Sequence, residues 1–207
     1  PSSNPRLRSA LAACRAVNMP KDNIERVIKK AETGQSLNLE EIRYEGYATG
    51  GIALIVDAVT DNRNRTAAEV RSSFTKYSGT LGETGSVSFM FNNIGQITYN
   101  KNIKSDEDIF EIAIEVGADD VSSDENSHEI FTSVNDFNNV REKLENLLGM
   151  PEQAQIIWQP ENFIKVDDEK KAISILKLLE TLDNCEDVQG VYSNFDITDE
   201  IINKINI

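Results

Sequence analysis

The sequence is poor in the residues that carry most chemistry. It has one histidine, His128, and two cysteines, Cys14 and Cys185, in 207 residues. Cysteines so far apart and so few exclude a disulfide framework and fit a reducing compartment; both read as small buried hydrophobes. A lone histidine in the polar stretch SSDENSHEIF reads as a solvated turn residue, with no cysteine or acidic cluster at metal-ligand spacing. Long apolar runs are missing as well. The longest aliphatic stretch, Ile52 to Val56, is far too short to span a bilayer, and no apolar leader opens the chain. Nucleotide-binding loops are absent too: YEGYATGG lacks the lysine and following Ser/Thr of a phosphate loop and the spacing of a dinucleotide fingerprint. It reads as a turn into the strand IALIV. With no nucleophile–base pair, the expectation is a protein that is not an enzyme and that takes no cofactor, no metal and no small-molecule substrate.

What is present is charge, unevenly spread. The formal net charge is −14, with hydrophobic residues at 39% and charged residues at 27%, the composition of a globular protein. Residues 1–80 hold 12 Lys/Arg against 9 Asp/Glu, whereas residues 81–207 hold 9 against 26. An acidic surface repels a polyanion, but a basic front with an acidic back can still orient a protein on phosphate.

Periodicity divides the chain. Residues 5–18 read as a helix. A second follows Pro20, with Ile24, Val27, Ile28 and Ala31 as its apolar stripe and Arg26, Lys29 and Lys30 outside it. Two short helices cannot enclose a core, and the chain opens at Pro1 rather than Met, so an N-terminal partner segment is expected to be missing. GQSLNLEE reads as a linker. IALIVDAV then reads as a strand, residues 66–77 as a helix and SVSFMF as a strand. The middle of the chain follows as strand, helix, two strands, helix, strand, the ferredoxin-like split arrangement. ENFIKV, DDEKKAISILKLLETL and DVQGVYSNFDI supply a last β-α-β, with Ala172, Ile175, Leu176, Leu179 and Leu182 as the buried stripe of its helix. The first and last pieces could share one sheet with the middle piece inserted; three sequential domains would also fit. The paired acids Asp167-Asp168 precede that helix and read as caps.

DNRNRT, residues 61–66, is the most informative loop. Thr66 and Glu69 fit a capping box, with Val70, Phe74 and Tyr77 as the buried stripe of the helix it would start. That accounts for Asp61, Thr66 and Glu69, but not for Arg63 and Arg65, which stand at a helix N-terminus where anions are favoured and where guanidinium groups can grip phosphate. Internal salt bridges are the competing use.

NMPKDNIERVIKK, YEGYATGGIALIV, TDNRNRTAAEVR, LGETGSVSFMF and DVQGVYSNFDITDE, in this order, resemble the YebC/PmpR family over nearly the whole chain. The resemblance implies an α+β multidomain fold. It comprises an incomplete N-terminal helical domain (1–38), a discontinuous α/β domain (39–93 plus 161–207) and an inserted ferredoxin-like βαββαβ domain (94–160). It also implies a cytoplasmic regulator of gene expression. Bacterial members are described as DNA-binding transcriptional regulators, the mitochondrial relative as a translational activator, and some members as ribosome-associated factors. The chain departs from the family pattern where a basic GHSKW-like opening is missing, where Ala48-Thr49 replaces Gly-Pro, and where Tyr77, Ser78 and Ser193 replace commoner residues.

The expected partner is nucleic acid: duplex DNA, or ribosomal RNA if the protein is a ribosome-associated translational activator. An acidic protein-interaction adaptor is the third reading, and no membrane is expected. Arg8, Arg15, Arg26, Lys29 and Lys30 would form one phosphate-contacting surface and Arg63, Arg65 and Arg71 a second. Such contacts position a protein without specifying sequence.

Overall fold

The computed structural model describes residues 7, 10, 11, 14, 19–32 and 39–205; for residues 30–32, 199, 200 and 203 only the backbone is described. The helix expected over 5–18 lies largely outside them. Helix α1 (Lys21–Glu32) starts directly after Pro20, whose carbonyl accepts from the N–H groups of Asn23 and Ile24. On it Ile24 and Ile28 are half-buried while Val27 is exposed, so the expected stripe is only partly covered. The chain separates into two compact units, one of Pro1–Ser36 and Asn93–Ile157, the other of Leu37–Asn92 and Trp158–Ile207.

In the second unit β1 (Glu40–Tyr47) pairs antiparallel with β2 (Ala53–Thr60) without a break in register from Glu40↔Thr60 to Tyr47↔Ala53. The turn between them runs through Gly50 (φ 82°) and Gly51 (φ 77°), backbone that other residues rarely adopt. Tyr44–Tyr47 of the expected turn is therefore strand, and only residues 49–51 turn. The linker likewise ends early, since β1 already holds Glu40 and Glu41. A short β3 (Thr80–Leu81) and β9 (Val188–Ser193) complete a sheet of order β3-β1-β2-β9. The closing β-α-β does not join it whole: β8 (Ile164–Val166) and β10 (Phe195–Ile197) form a separate two-stranded parallel sheet.

The unbroken apolar run of β2 follows from burial on both faces. Leu54 and Val56 pack with Val70 and Phe74 of α2 (Arg63–Lys76) and with Ala172, Ile175, Leu178 and Leu182 of α5 (Glu169–Asp183). Ala53 and Ile55 face the other way, onto Val87, Phe91 and Trp158. Leu178, absent from the expected stripe, is fully buried and Leu176 only half, because the face of α5 is centred one residue further round. Asp168 caps α5 as expected, its side chain accepting from the Lys171 N–H. A further helix, α6 (Asp199–Ile205), buries Ile201 in the same core.

Residues 93–157 run through β4 (Phe91–Asn100), α3 (Asp106–Val116), β5 (Asp120–Ser123), β6 (Ser127–Ser133), α4 (Phe137–Leu148) and β7 (Gln153–Pro160), in the expected sequence of elements. Their strands are ordered β5-β6-β4-β7, the split βαβ arrangement. Ile97, Tyr99 and Ile130 of the sheet meet Ile109, Ala113 and Val116 of α3 and Val140 and Leu144 of α4. His128 corrects the expectation of a solvated turn. It lies in β6 with no solvent exposure, Nδ1 2.7 Å from Ser123 Oγ and Nε2 3.1 and 3.2 Å from the carbonyl oxygens of Lys101 and Lys104. A polar ring is tolerated there because each nitrogen has a partner.

Candidate nucleic-acid interface

The two basic groups expected from the sequence fall in different compact units. On α1, Arg26 is exposed and donates to Asn23 Oδ1 over 3.4 Å, and Lys29 is exposed. Arg8, Arg15 and the side chain of Lys30 lie outside the described residues.

The second group sits on α2, and the loop ahead of it corrects the expected capping box. The helix starts at Arg63, with Asn62 as its cap, its Oδ1 accepting from the Arg65 N–H at 3.2 Å. Asparagine caps at least as well as threonine, so the earlier start is available, and Thr66 then falls inside the first turn. There it is fully buried, its Oγ1 2.6 Å from Asp187 Oδ2 and 2.8 Å from Thr60 Oγ1. Thr60 Oγ1 lies 2.9 Å from the same carboxylate oxygen. Arg65 joins this cluster, donating through Nη2 to the two oxygens of Asp187 at 2.8 and 3.0 Å and to Asp61 at 3.1 Å. The Thr66 hydroxyl first, and the Arg65 guanidinium next, hold the Asp187 carboxyl below its usual range. Asp187 precedes β9, so Arg65 and Thr66 tie the start of one helix to the loop that closes the sheet.

Arg63 and Arg71 are placed differently. Arg63 is largely exposed, with one long ion pair to Glu40 at 3.7 Å. Arg71 is exposed in mid-helix. At about 100° per residue the two lie roughly 80° apart around α2, and Arg65 points to another side. Of the three arginines, then, two face solvent on neighbouring sides of the helix, and the third belongs to a hydrogen-bonded corner.

A carboxylate without any local sequence signature of its own organises the neighbouring motifs. Glu45 of β1 is 2% exposed, and its two oxygens accept from the backbone N–H groups of Gly85 (3.0 Å), Val87 and Ser88 (both 2.9 Å). Burial works against its ionisation, but the three N–H donors outweigh it and hold the carboxyl below its ordinary range. YEGY and LGETGSVSF are thus two halves of one lock. It is also why SVSFMF is not the expected strand. Val87 and Ser88 donate to Glu45, Ser88–Met90 forms a 3-10 turn, and β4 begins only at Phe91. Gly46 beside it admits no side chain, since a Cβ would stand 2.6 Å from the Thr80 carbonyl oxygen and 2.7 Å from the Phe74 ring. In the sequence Glu45 is marked only by its neighbours, two tyrosines and a glycine just ahead of an apolar run. A third arrangement joins Asp57, which accepts from Arg43 Nε and Trp158 Nε1, both at 3.1 Å, while the Arg43 guanidinium stacks 4.1 Å from the Trp158 ring centre.

Together these features define an α+β multidomain protein in which the motifs YEGY and LGETGSVSF form one structural lock. The family model described as the TACO1/YebC second and third domain matches residues 39–195, and that of the TACO1/YebC N-terminal domain matches residues 1–34. The chain belongs to the TACO1/YebC family. It is 53% identical over 201 residues to a protein of Rickettsia felis named "Probable transcriptional regulatory protein", covering 97% of this chain and 80% of that one. A relative from Rickettsia akari, similarly named, matches with the same identity and coverage. A crystal structure of a conserved hypothetical protein from Aquifex aeolicus superposes with a TM-score of 0.86 at 46% identity, over 98% of this chain and 84% of that one.

Proposed function

We propose that the protein is a non-enzymatic regulator of gene expression in the cytoplasm that binds duplex DNA through exposed cations of its N-terminal third. The observation that carries this reading is the charge distribution, set beside the names of the relatives. Residues 1–36 hold 7 Lys/Arg against 3 Asp/Glu in a chain whose net charge is −14. Arg26 and Lys29 are exposed on α1, and Arg63 and Arg71 on α2. With Arg8, Arg15 and Lys30 they would supply phosphate contacts, and Arg65 would add to them only by releasing Asp187. We take residues 1–38 as a helical domain and 94–160 as a domain inserted into the one formed by 39–93 and 161–207.

Phosphate-driven binding is salt-dependent, with log affinity falling by about 0.9 per phosphate contact for each decade of salt on duplex DNA. Titration of a labelled duplex at rising salt should therefore show a steep slope, and a flat one would refute the proposal. A ribosome-associated translational activator is favoured by the acidic 93–157 segment, with 4 Lys/Arg against 14 Asp/Glu, which would face basic proteins rather than DNA. Co-sedimentation with ribosomes that disappears only after RNA digestion would select that reading over promoter binding.

A further inference from the structure

The solvent side of α3 carries two tracks that the fold of its unit does not use. Ile109, Ala113 and Val116 are buried under the helix. Roughly 95–135° round the helix from that face, Phe110 and Ile114, one turn apart, are 55% and 63% exposed. Burying two such side chains would be stabilising, and here that gain is not taken. Beside them run Glu107, Glu111 and Glu115 at successive i, i+4 spacings, all exposed. Among the described residues no ion pair reaches these three. Like charges at this spacing destabilise a helix, and Glu115 stands in the last turn, where the helix dipole disfavours an anion. Neither track helps α3 to fold. The surrounding 93–157 segment, at 4 Lys/Arg against 14 Asp/Glu, would repel nucleic acid and anionic bilayers alike.

We propose that this face of α3 docks a basic amphipathic helix of a partner protein. The partner's apolar side chains lie on Phe110 and Ile114, and its lysines or arginines lie over Glu107, Glu111 and Glu115. The arrangement is a helix-on-helix form of amphipathic recognition, in which the apolar track supplies affinity and the acidic track supplies steering and orientation. It is independent of the DNA-binding reading, because it concerns the 93–157 segment, whose charge opposes DNA.

The test uses the full chain and a fluorescein-labelled peptide of leucine and lysine patterned as an amphipathic helix, with a scrambled peptide of the same composition as control, read by anisotropy. The patterned peptide should bind about tenfold more tightly than the scrambled one, which corresponds to about 1.4 kcal/mol. Phe110→Ser with Ile114→Ser should remove that advantage and leave the scrambled peptide unaffected. Both side chains are exposed, so the circular dichroism of the variant should match the parent. Glu107→Gln with Glu111→Gln and Glu115→Gln should weaken both peptides and flatten the salt dependence. Equal binding of the two peptides, or indifference of the patterned one to the serine pair, would overturn the proposal. It would also fall if the serine pair turned a dimer into a monomer in sedimentation, making a second copy the occupant, or if that pair weakened duplex DNA binding instead.

Discussion

The two compact units are both acidic and both hold a four-stranded sheet backed by helices, yet they use their charges differently. In the unit of residues 37–92 and 158–207 the informative carboxylates are hydrogen-bonded to the fold. Glu45 closes a loop, Asp187 holds Arg65 and two threonines, and Asp57 joins Arg43 to Trp158. In the 93–157 segment most acids, Glu107, Glu111 and Glu115 among them, stay in solvent, although Arg141 and Glu145 form a largely buried pair at 2.6 Å. Net charge alone would rank the two as equivalent. Donors to particular carboxylates tell more: Glu45 and Asp187, surrounded by N–H and O–H donors, are part of the fold, as is Asp124 in the 93–157 segment, whereas among the described residues Glu107, Glu111 and Glu115 accept from none and are available to a partner.

The strongest way to test this contrast is at Glu45. Glu45→Gln leaves buried backbone N–H groups without a charged acceptor and turns an amide N–H₂ toward at least one of them. Unsatisfied buried groups cost about 1–3 kcal/mol each, so a drop of roughly 2–4 kcal/mol is expected in urea unfolding. Glu107→Gln, on the other unit, should change stability by less than about 0.5 kcal/mol. Equal effects at the two sites would end the distinction.

Acidity provides a second, somewhat smaller handle. Both the Glu45 and the Asp187 carboxyls titrate below their ordinary values of 4.5 and 3.8. A carboxyl with a depressed folded-state value stabilises fully above the ordinary value, and the contribution disappears as pH falls through the folded-state value. Stability should therefore hold level down to about pH 5 and drop below it. The stability gap between the parent and Glu45→Gln should narrow over the same range. A gap that stayed constant down to about pH 2 would mean that the carboxylate charge is not what the three N–H groups recognise.

Much of the fold could be read from the sequence, because hydrophobic period and turn residues report local structure. The strands and helices of the 93–157 segment fall where the pattern puts them, and β2, buried on both faces, shows its unbroken run. What could not be read depends on distant partners. Glu45 and Gly85 are 40 residues apart and Arg65 and Asp187 are 122 apart, and no local period encodes either pairing. The same blindness misplaced His128, whose neighbours in sequence are polar but whose ring lies under the chain at Lys101 and Lys104. It also left Arg65 open between phosphate binding and an internal salt bridge.

The smallest stability effects fall within DNRNRT and its helix, where the arginines should separate by role. Arg65→Ala removes a guanidinium that bonds both oxygens of Asp187, which retains Thr60 and Thr66, so a small but measurable destabilisation is expected. It should be read as a lowered melting temperature. Arg63→Ala with Arg71→Ala removes one long, exposed ion pair and should cost no more than about 0.5 kcal/mol. Binding should run in the opposite order. If Arg63 and Arg71 meet phosphate, their double variant lowers the salt slope on duplex DNA by about 0.9 for each phosphate no longer neutralised, whereas Arg65→Ala leaves the slope unchanged. Measuring both quantities on both variants separates the roles, because a residue that holds the fold moves the melting temperature and one that holds phosphate moves the slope. A double variant of Arg63 and Arg71 with an unaltered slope would restrict DNA binding to the first 36 residues. A reduced slope for Arg65→Ala at an unchanged melting temperature would show that Asp187 releases its arginine to the nucleic acid.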